Sequence, residues 1–312
     1  MKGIKPLKLR AIVGAVAGFI LIAVLGVQSA SAVPVGQTSY WSPALATFNG
    51  RLYFAFVGTD RQLRVMSSAD GLNFGAPVII PNNSSHFGAA LAAFDGRLYL
   101  AFVGTDKRHK INYISSADGV TWNNQTVFGD EAGGGTPALA ASSNQLIIAW
   151  NGTNSGHNLN VACLACTNLS YGTKVINPFI GSDHGVAITS INDNFFVALT
   201  RNVPAKPVTF FSSTAASPLT FTQQPDAGNI VAGPGLGSLN GSLYAGWPTE
   251  FPYGPLVIQY YQVVNGTTLV GAGGFNTQNA TSNTNIALAG FNGHLFYAWL
   301  ATDNTLNITT LF

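Results

Sequence analysis

Residues 90–122 read ALAAFDGRLYLAFVGTDKRHKINYISSADGVTW, and residues 44–74 repeat them closely as ALATFNGRLYFAFVGTDRQLRVMSSADGLNF. Looser copies start near Ala138 (ALAASSNQLIIAWNGTN), Ala187 (AITSINDNFFVALTRN), Gly235 (GLGSLNGSLYAGW) and Ala287 (ALAGFNGHLFYAWLATDN). Leu45, Leu91, Leu139, Ile188, Leu236 and Leu288 hold equivalent places, at spacings of 46, 48, 49, 48 and 52 residues. A repeat of this length is a supersecondary unit that cannot bury its apolar face alone, so it must stack on its neighbours. Within the quoted stretch, Ala90–Phe94 is short, apolar and rich in small residues, as a strand beside a crowded axis requires. Asp95-Gly96 signals a two-residue hairpin, because a type I′ turn needs positive φ at both central positions. Asn49-Gly50, Asn240-Gly241 and Asn292-Gly293 fill the same slot. Arg97–Val103 reads as a second strand, Ile111–Ser115 as a third and Thr121–Phe128 as a fourth. Four antiparallel strands per repeat predict an all-β fold, a six-bladed β-propeller. Its repeats begin near residues 43, 89, 137, 186, 234 and 286.

The last repeat ends soon after its third strand, Leu306–Thr310. The segment Gln37–Trp41, ahead of the first repeat, is predicted to supply the missing fourth strand. Such a Velcro-type closure leaves no unpaired edge.

Ser116-x-Asp118-Gly119-x-x-Trp122 and Ser68-x-Asp70-Gly71-x-x-Phe74 resemble the Asp-box of sialidase-like (BNR-repeat) propellers, with one residue fewer between Asp and Gly. The resemblance implies that these residues are structural. Asp and Ser satisfy turn amides, the aromatic packs between strands, and the turn lies opposite the face that carries the active site in that family. In the third repeat Cys163 stands where Ser115 stands in the second, and Cys166 where Asp118 stands. A disulfide in place of the Asp-box staple is the favoured expectation; free thiols and a redox or half-metal Cys-x-x-Cys are the alternatives.

Residues 1–32 carry a basic start (Lys2, Lys5, Lys8, Arg10), an apolar run from Ala11 to Val27 and the Ala30-Ser31-Ala32 pattern. They read as a secretion signal, which predicts a secreted protein of residues 33–312 without stable membrane insertion; an uncleaved anchor is the alternative. Removing the signal leaves ten Lys and Arg against twelve Asp and Glu, a net of −2. That balance argues against nucleic-acid partners. A neutral surface rich in Asn, Thr, Ser and Gly suits uncharged ligands.

Propeller topology gathers the inter-blade loops and the loops between second and third strands on one face. That face is expected to hold His86, Asp130, Glu131, Asp183 and His184. It also receives Asp60, Asp106, Asn154 and Asp303 of the recurrent Gly-Thr-Asp-type loops, the arginines Arg61, Arg108 and Arg201, and Glu250 to Tyr253. The loop residues are read either as turn caps or as one ligand contact per blade. Trp41, Tyr40 and Tyr253 are the freer aromatics. Phe56, Phe102, Trp150, Leu199, Trp247 and Trp299 are read as core packing, with a sugar-stacking platform as the alternative. Asp60, Asp106, Asn154, Asp303, Trp41, Tyr253, His86 and His184 form the candidate ligand site.

No catalytic set stands out. The mature chain has two glutamates, Glu131 and Glu250, and Phe/Tyr-Arg-Ile-Pro is absent from the sequence. A glycosidase needs two carboxylates at a set separation, and sequence does not place these. The histidines lack a tight ligand spacing, so neither a metal nor a cofactor is expected. The favoured function is non-catalytic, lectin-like recognition of glycans or glycoproteins. The alternatives are a divergent sialidase-like glycoside hydrolase and a protein-interaction propeller. Asn83, Asn151 and Asn307 open Asn-x-Ser/Thr sequons.

Overall fold

The computed structural model describes residues 31–229, 232–249, 255–282 and 284–311. The predicted signal, but for its last two residues, lies outside the described residues, as do Glu250 and Tyr253. The described regular elements are strands, arranged in six sheets. Blade 1 runs through Ala44–Phe48, Arg51–Val57, Gln62–Ser68 and Val78–Ser84, each strand antiparallel to the last. Blade 2 uses Ala90–Phe94, Arg97–Val103, Lys110–Ser116 and Thr126–Ala132. Blade 3 uses Ala138–Ala141, Gln145–Asn151, Asn158–Cys166 and Lys174–Gly181. Blade 4 starts at Val186, and Ala227–Asn229 adds a short fifth strand beside Pro207–Thr214. Blade 5 starts at Gly235. Blade 6 runs through Ala287–Phe291, His294–Leu300 and Thr305–Thr310, and Val33–Thr38 pairs along its outer edge.

Two strands differ from the sequence reading by more than one residue, each for a local reason. The N-terminal strand is Val33–Thr38, with Val33 opposite Ile308 and Thr38 opposite Thr305, rather than Gln37–Trp41. Ser39 ends it by turning inward: its Oγ donates to the Val57 carbonyl at 2.7 Å and accepts from Trp41 N at 2.9 Å. The fourth strand of blade 2 starts at Thr126, not Thr121. Asp118 Oδ1 accepts from Thr121 N at 2.7 Å, and Asn123 Oδ1 accepts from Ser115 N at 2.6 Å, so the turn is longer.

The buried apolar side chains fall into clusters that each join two neighbouring blades. Leu98, Leu100 and Phe102 pack on Ala55, Val57 and Val65, and Leu146, Ile148 and Trp150 pack on Ala101, Val103 and Ile111. The same pairing recurs around the ring to blades 6 and 1. Phe56, Phe102, Trp150, Leu199, Trp247 and Trp299 all lie inside these clusters or beside them, and Trp150 is 0 % exposed. They are core, which rules out the stacking platform.

The two Ser-x-Asp-Gly turns are alike. Ser116 Oγ donates to Asp118 Oδ1 (2.8 Å) and accepts from Gly119 N (2.8 Å), while Asp118 Oδ1 also accepts from Val120 N (2.8 Å). Ser68 and Asp70 repeat this at Gly71, Leu72 and Asn73. These donors hold both carboxyls well below the usual carboxylate range: chiefly the Asn73 side chain for Asp70 and the Thr121 amide for Asp118. Gly119 has φ +75°, and a Cβ there would run into the Tyr53 ring of blade 1; Gly71 (φ +87°) stands likewise against Phe296 of blade 6. The turns therefore clip each blade to the one before it. Phe74 packs edge-on against Phe54 at 5.6 Å. In blade 3 the corresponding corner is closed by a Cys163–Cys166 disulfide.

Candidate functional site

Six first strands line the central channel, and Leu45, Leu91, Leu139, Ile188, Leu236 and Leu288 narrow it. Just before each strand stands one residue of the mouth: Ser42, Gly88, Thr136, Gly185, Gly233 and Asn285. One step earlier come Trp41, Phe87, Gly135, His184, Ala232 and Thr284. All of these but Gly88, together with Asp183 and Gly134, line a cup of about 200 Å³ on the loop face.

A recurrent serine builds the rim. Ser39, Ser85, Ser182 and Ser282 are all buried. Each Oγ accepts from the amide two residues on: Trp41 (2.9 Å), Phe87 (3.3 Å), His184 (3.1 Å) and Thr284 (3.1 Å). Three of the four hydroxyls donate to the carbonyl that ends a second strand: Val57, Val103 and Leu300. Such side-chain-to-backbone turns fix the residue at the second position. That position is aromatic in blades 1 and 2, histidine in blade 4 and threonine in blade 6. Glycine in blade 3 and alanine in blade 5 leave gaps.

The cup is two-sided. Trp41 and Phe87 stand on adjacent blades, and Thr136 Oγ1 accepts from Gly88 N at 3.0 Å beside them. His184 and Asn285 stand on the far side. A Cβ on Gly233 would collide with the His184 carbonyl and the Asn285 amide, so glycine lets the Asn285 arm lie across the mouth. Burial, with the Lys206 cation, pushes the His184 imidazole below its ordinary value, against the pull of Asp183. His184 is therefore neutral at pH 7, with one nitrogen to donate and one to accept. The carboxylate bordering the cup, Asp183, accepts from His157 Nδ1 at 2.6 Å. The Asn202 side chain and His157 hold it below the usual range.

The remaining sequence candidates lie elsewhere. Asp60 forms a two-pronged ion pair with Arg64 (2.6 Å at each oxygen) and caps Gln62 N; that guanidinium lowers its pKa to about 2. Asp106 caps Arg108 N and Lys110 N, Asn154 caps Asn158 N, and Asp303 caps Thr305 N. These side chains serve their own loops. Gly58, Gly104 and Gly152 are glycine because the cap and a third-strand side chain (Arg64, Asn112, Asn160) close over them. His86 sits outside the cup, stacked on His109 at 4.4 Å and edge-on to Phe87 at 4.8 Å, with Arg61 3.3 Å from its Nδ1. Tyr40 is 55 % exposed beside Trp41. The sequon asparagines Asn83, Asn151 and Asn307 are buried. Among the described residues no group of three His, Cys, Asp or Glu side chains is placed to hold a metal ion.

Trp41 and His184 were candidates from sequence; Phe87, Thr136, Thr284 and Asn285 were not. Their signal was present. Ser39, Ser85, Ser182 and Ser282 each fall six residues before a channel leucine or isoleucine, and each sets its second following residue on the rim.

No family model and no curated protein matches the chain. Its architecture is similar to that of several solved propellers. The sialidase of Trypanosoma rangeli, solved with the inhibitor DANA, superposes with a TM-score of 0.57 at 11% identity, over 91% of this chain and 58% of that one. This chain thus spans a little over half of the sialidase. The α-L-arabinofuranosidase of Fusarium graminearum gives 0.61 at 14% identity, over 90% of this chain and 97% of that one. The Aleuria aurantia lectin, solved with Fucα1-6GlcNAc, gives 0.64 at 12% identity, over 87% and 92%. At such identities the likeness shows the fold: this chain is a six-bladed β-propeller of the architecture shared by sialidase, arabinofuranosidase and lectin structures.

Proposed function

We propose that this protein is a secreted, lectin-like propeller that binds neutral glycans at the mouth of its channel. The observation that carries the reading is the two-sided cup. A sugar ring offers an apolar C–H face and a rim of hydroxyls, and the cup offers Trp41 and Phe87 together with His184, the Asn285 amide that reaches toward Gly185 and Gly233, and Thr284 of the blade next to Trp41. The amide of Asn285 and the neutral imidazole of His184 can each donate and accept, as hydroxyls require. Solved neighbours that hold glycan ligands or inhibitors support the class of ligand.

A binding role is favoured over hydrolysis by the state of Asp183. Its oxygens already serve His157 and Asn202, so it is poorly placed to act on a glycosidic bond. Glycoside hydrolysis is the second reading, favoured by the sialidase and arabinofuranosidase neighbours. The Ser-x-Asp-Gly turns act, on this view, as shortened Asp-boxes that support the fold. The signal reading implies export after cleavage behind Ala32, and N-terminal sequencing of exported protein should begin at Val33.

A glycan array probed with the full chain tests the function, alongside chromogenic glycosides. Retention without product supports the lectin reading. Release of chromophore transfers it to the hydrolase reading. Silence in both favours a protein-contact role.

A further inference from the structure

The loops between second and third strands share a backbone device on the loop face. The residue just before the third strand has positive φ, and its carbonyl accepts from the loop that enters the next blade. Arg61 O accepts from Ser85 N at 3.0 Å, His109 O from Gly133 N at 3.0 Å, His157 O from Ser182 N at 3.2 Å and Asn304 O from Ser39 N at 3.1 Å. Asparagine tolerates this left-handed region well, as Asn304 does in blade 6 (φ +65°). Arginine does not, yet Arg61 has the same φ of +65° in blade 1. The turn explains the backbone conformation but not the choice of side chain, and strain of this kind gathers at functional sites.

The junction between blades 3 and 4 shows what such a side chain meets. His157 Nδ1 lies 2.6 Å from Asp183 Oδ1, and Asp183 directly follows the rim serine Ser182. Between blades 1 and 2, Arg61 takes the place of His157, and His86, directly after Ser85, takes the place of Asp183. An imidazole stands where the carboxylate stood. Arg61 Nη1 lies 3.3 Å from His86 Nδ1, and His109 of blade 2 stacks on the same ring at 4.4 Å, 27° from parallel. A guanidinium only donates, so Nδ1 accepts and the neutral ring carries its proton on Nε2. Burial, with His109 and Arg61, holds the His86 imidazole below its ordinary value. The carboxylates of the surrounding loops are engaged: Asp60 with Arg64, Asp130 with Lys110, and Asp106 with the amides of Arg108 and Lys110. Among the described residues no carboxylate forms an ion pair with Arg61. Lys107 and Arg108 add two exposed cations to the His109 loop.

We propose that Arg61, His86 and His109 form a site for a small oxyanion, a sulfate or carboxylate group, which supplies the negative charge that Asp183 supplies two junctions further on. A guanidinium fork matches such a group, and imidazole N–H groups add further donors. Arg61 is exposed and both rings are half-buried, so the group reaches them from solvent. Phe87 lies edge-on to His86 at 4.8 Å and also lines the cup, so the site and the mouth share a wall. The oxyanion arrives either as a free ion or as a substituent of a ligand seated in the mouth. The site does not rest on the reading of the mouth, because an inorganic ion probes it directly.

The experiment follows the histidine Cε1–H signals of the full chain by NMR from pH 8 to pH 5, in sodium sulfate and in sodium chloride of equal ionic strength. His86→Gln and His109→Gln assign the two signals. Sulfate should raise the His86 midpoint by about half a pH unit or more, because an anion binds the protonated ring more tightly. The midpoints of His184, in the mouth, and His157, already paired with Asp183, should not move. Arg61→Gln should abolish the effect. His86→Asp, which copies the junction between blades 3 and 4, should remove the sulfate response at His109 without lowering Tm. A sulfated methyl galactoside separates the two sources. Affinity no greater than that of inorganic sulfate assigns the site to a free ion; affinity at least about tenfold greater assigns it to a group carried by a mouth ligand. Two results overturn the proposal: sulfate shifts that are absent at His86 or equal at all the histidines, which is a bulk salt effect, or a His86 shift that survives Arg61→Gln. Failure of the mouth reading would leave this result untouched, since the mouth reports at His184.

Discussion

The turn face and the loop face are built from the same strands and use the same residue types to opposite ends. On the turn face, Ser116 and Asp118 spend their oxygens on the amides of residues 119–121, and Gly119 lets the corner seat on Tyr53. On the loop face, Ser39, Ser85, Ser182 and Ser282 make similar turns, but each presents its second following residue to open space. A hydroxyl-capped turn is a neutral device; what stands beyond it decides between a clip and a site. The turn face should therefore answer to stability measurements and the mouth to binding measurements.

The largest effect should come from beneath both faces. Trp150→Ala removes a fully buried indole and should lower the unfolding free energy by about 3–5 kcal/mol in denaturant melts. A variant as stable as the parent but unable to bind sugar would restore the stacking platform. Gly119→Val should cost about 1–3 kcal/mol, since it combines positive φ with a collision at Tyr53, and it should leave glycan affinity unchanged. Replacing Cys163 and Cys166 by serine opens a very short loop. The chain-entropy relation gives a loss of about 2 kcal/mol, measurable as a lower Tm without loss of binding.

The smallest effect is in acid. Asp70 and Asp118 are depressed in the folded state relative to an unfolded value of about 3.9. Their stabilisation is thus fully present above that value and is lost as the pH falls through the folded ones. Melts from pH 6 to pH 2 should show a decline in the wild type that is shallower in Asp118→Asn. An identical slope would mean that the turn carboxylates do not set acid stability.

The contrast also explains what sequence could convey. The Asp95-Gly96 hairpin, the run of Leu45-equivalent positions and the Ser-x-Asp-Gly corners are local, and local patterns survive in one dimension. Burial of Trp150 followed from its place in the repeat. Asp60 looked like a ligand contact because it is a carboxylate on a functional-looking loop. Its partner Arg64, four residues on, was legible as well, and the ion pair answers for it. The mouth was harder. Trp41, Phe87, His184 and Asn285 come from four repeats spread over some 240 residues, and only closure of the ring makes them neighbours.

The most direct test of the binding mouth is a calorimetric titration of the full-length wild type and Asn285→Ala with the best ligand from a glycan array, with Tm recorded for both. The Asn285 side-chain amide makes no hydrogen bond with the described protein, so its loss should leave Tm unchanged while affinity falls about tenfold. Equal affinity in the two proteins would contradict the account and move the ligand away from the channel.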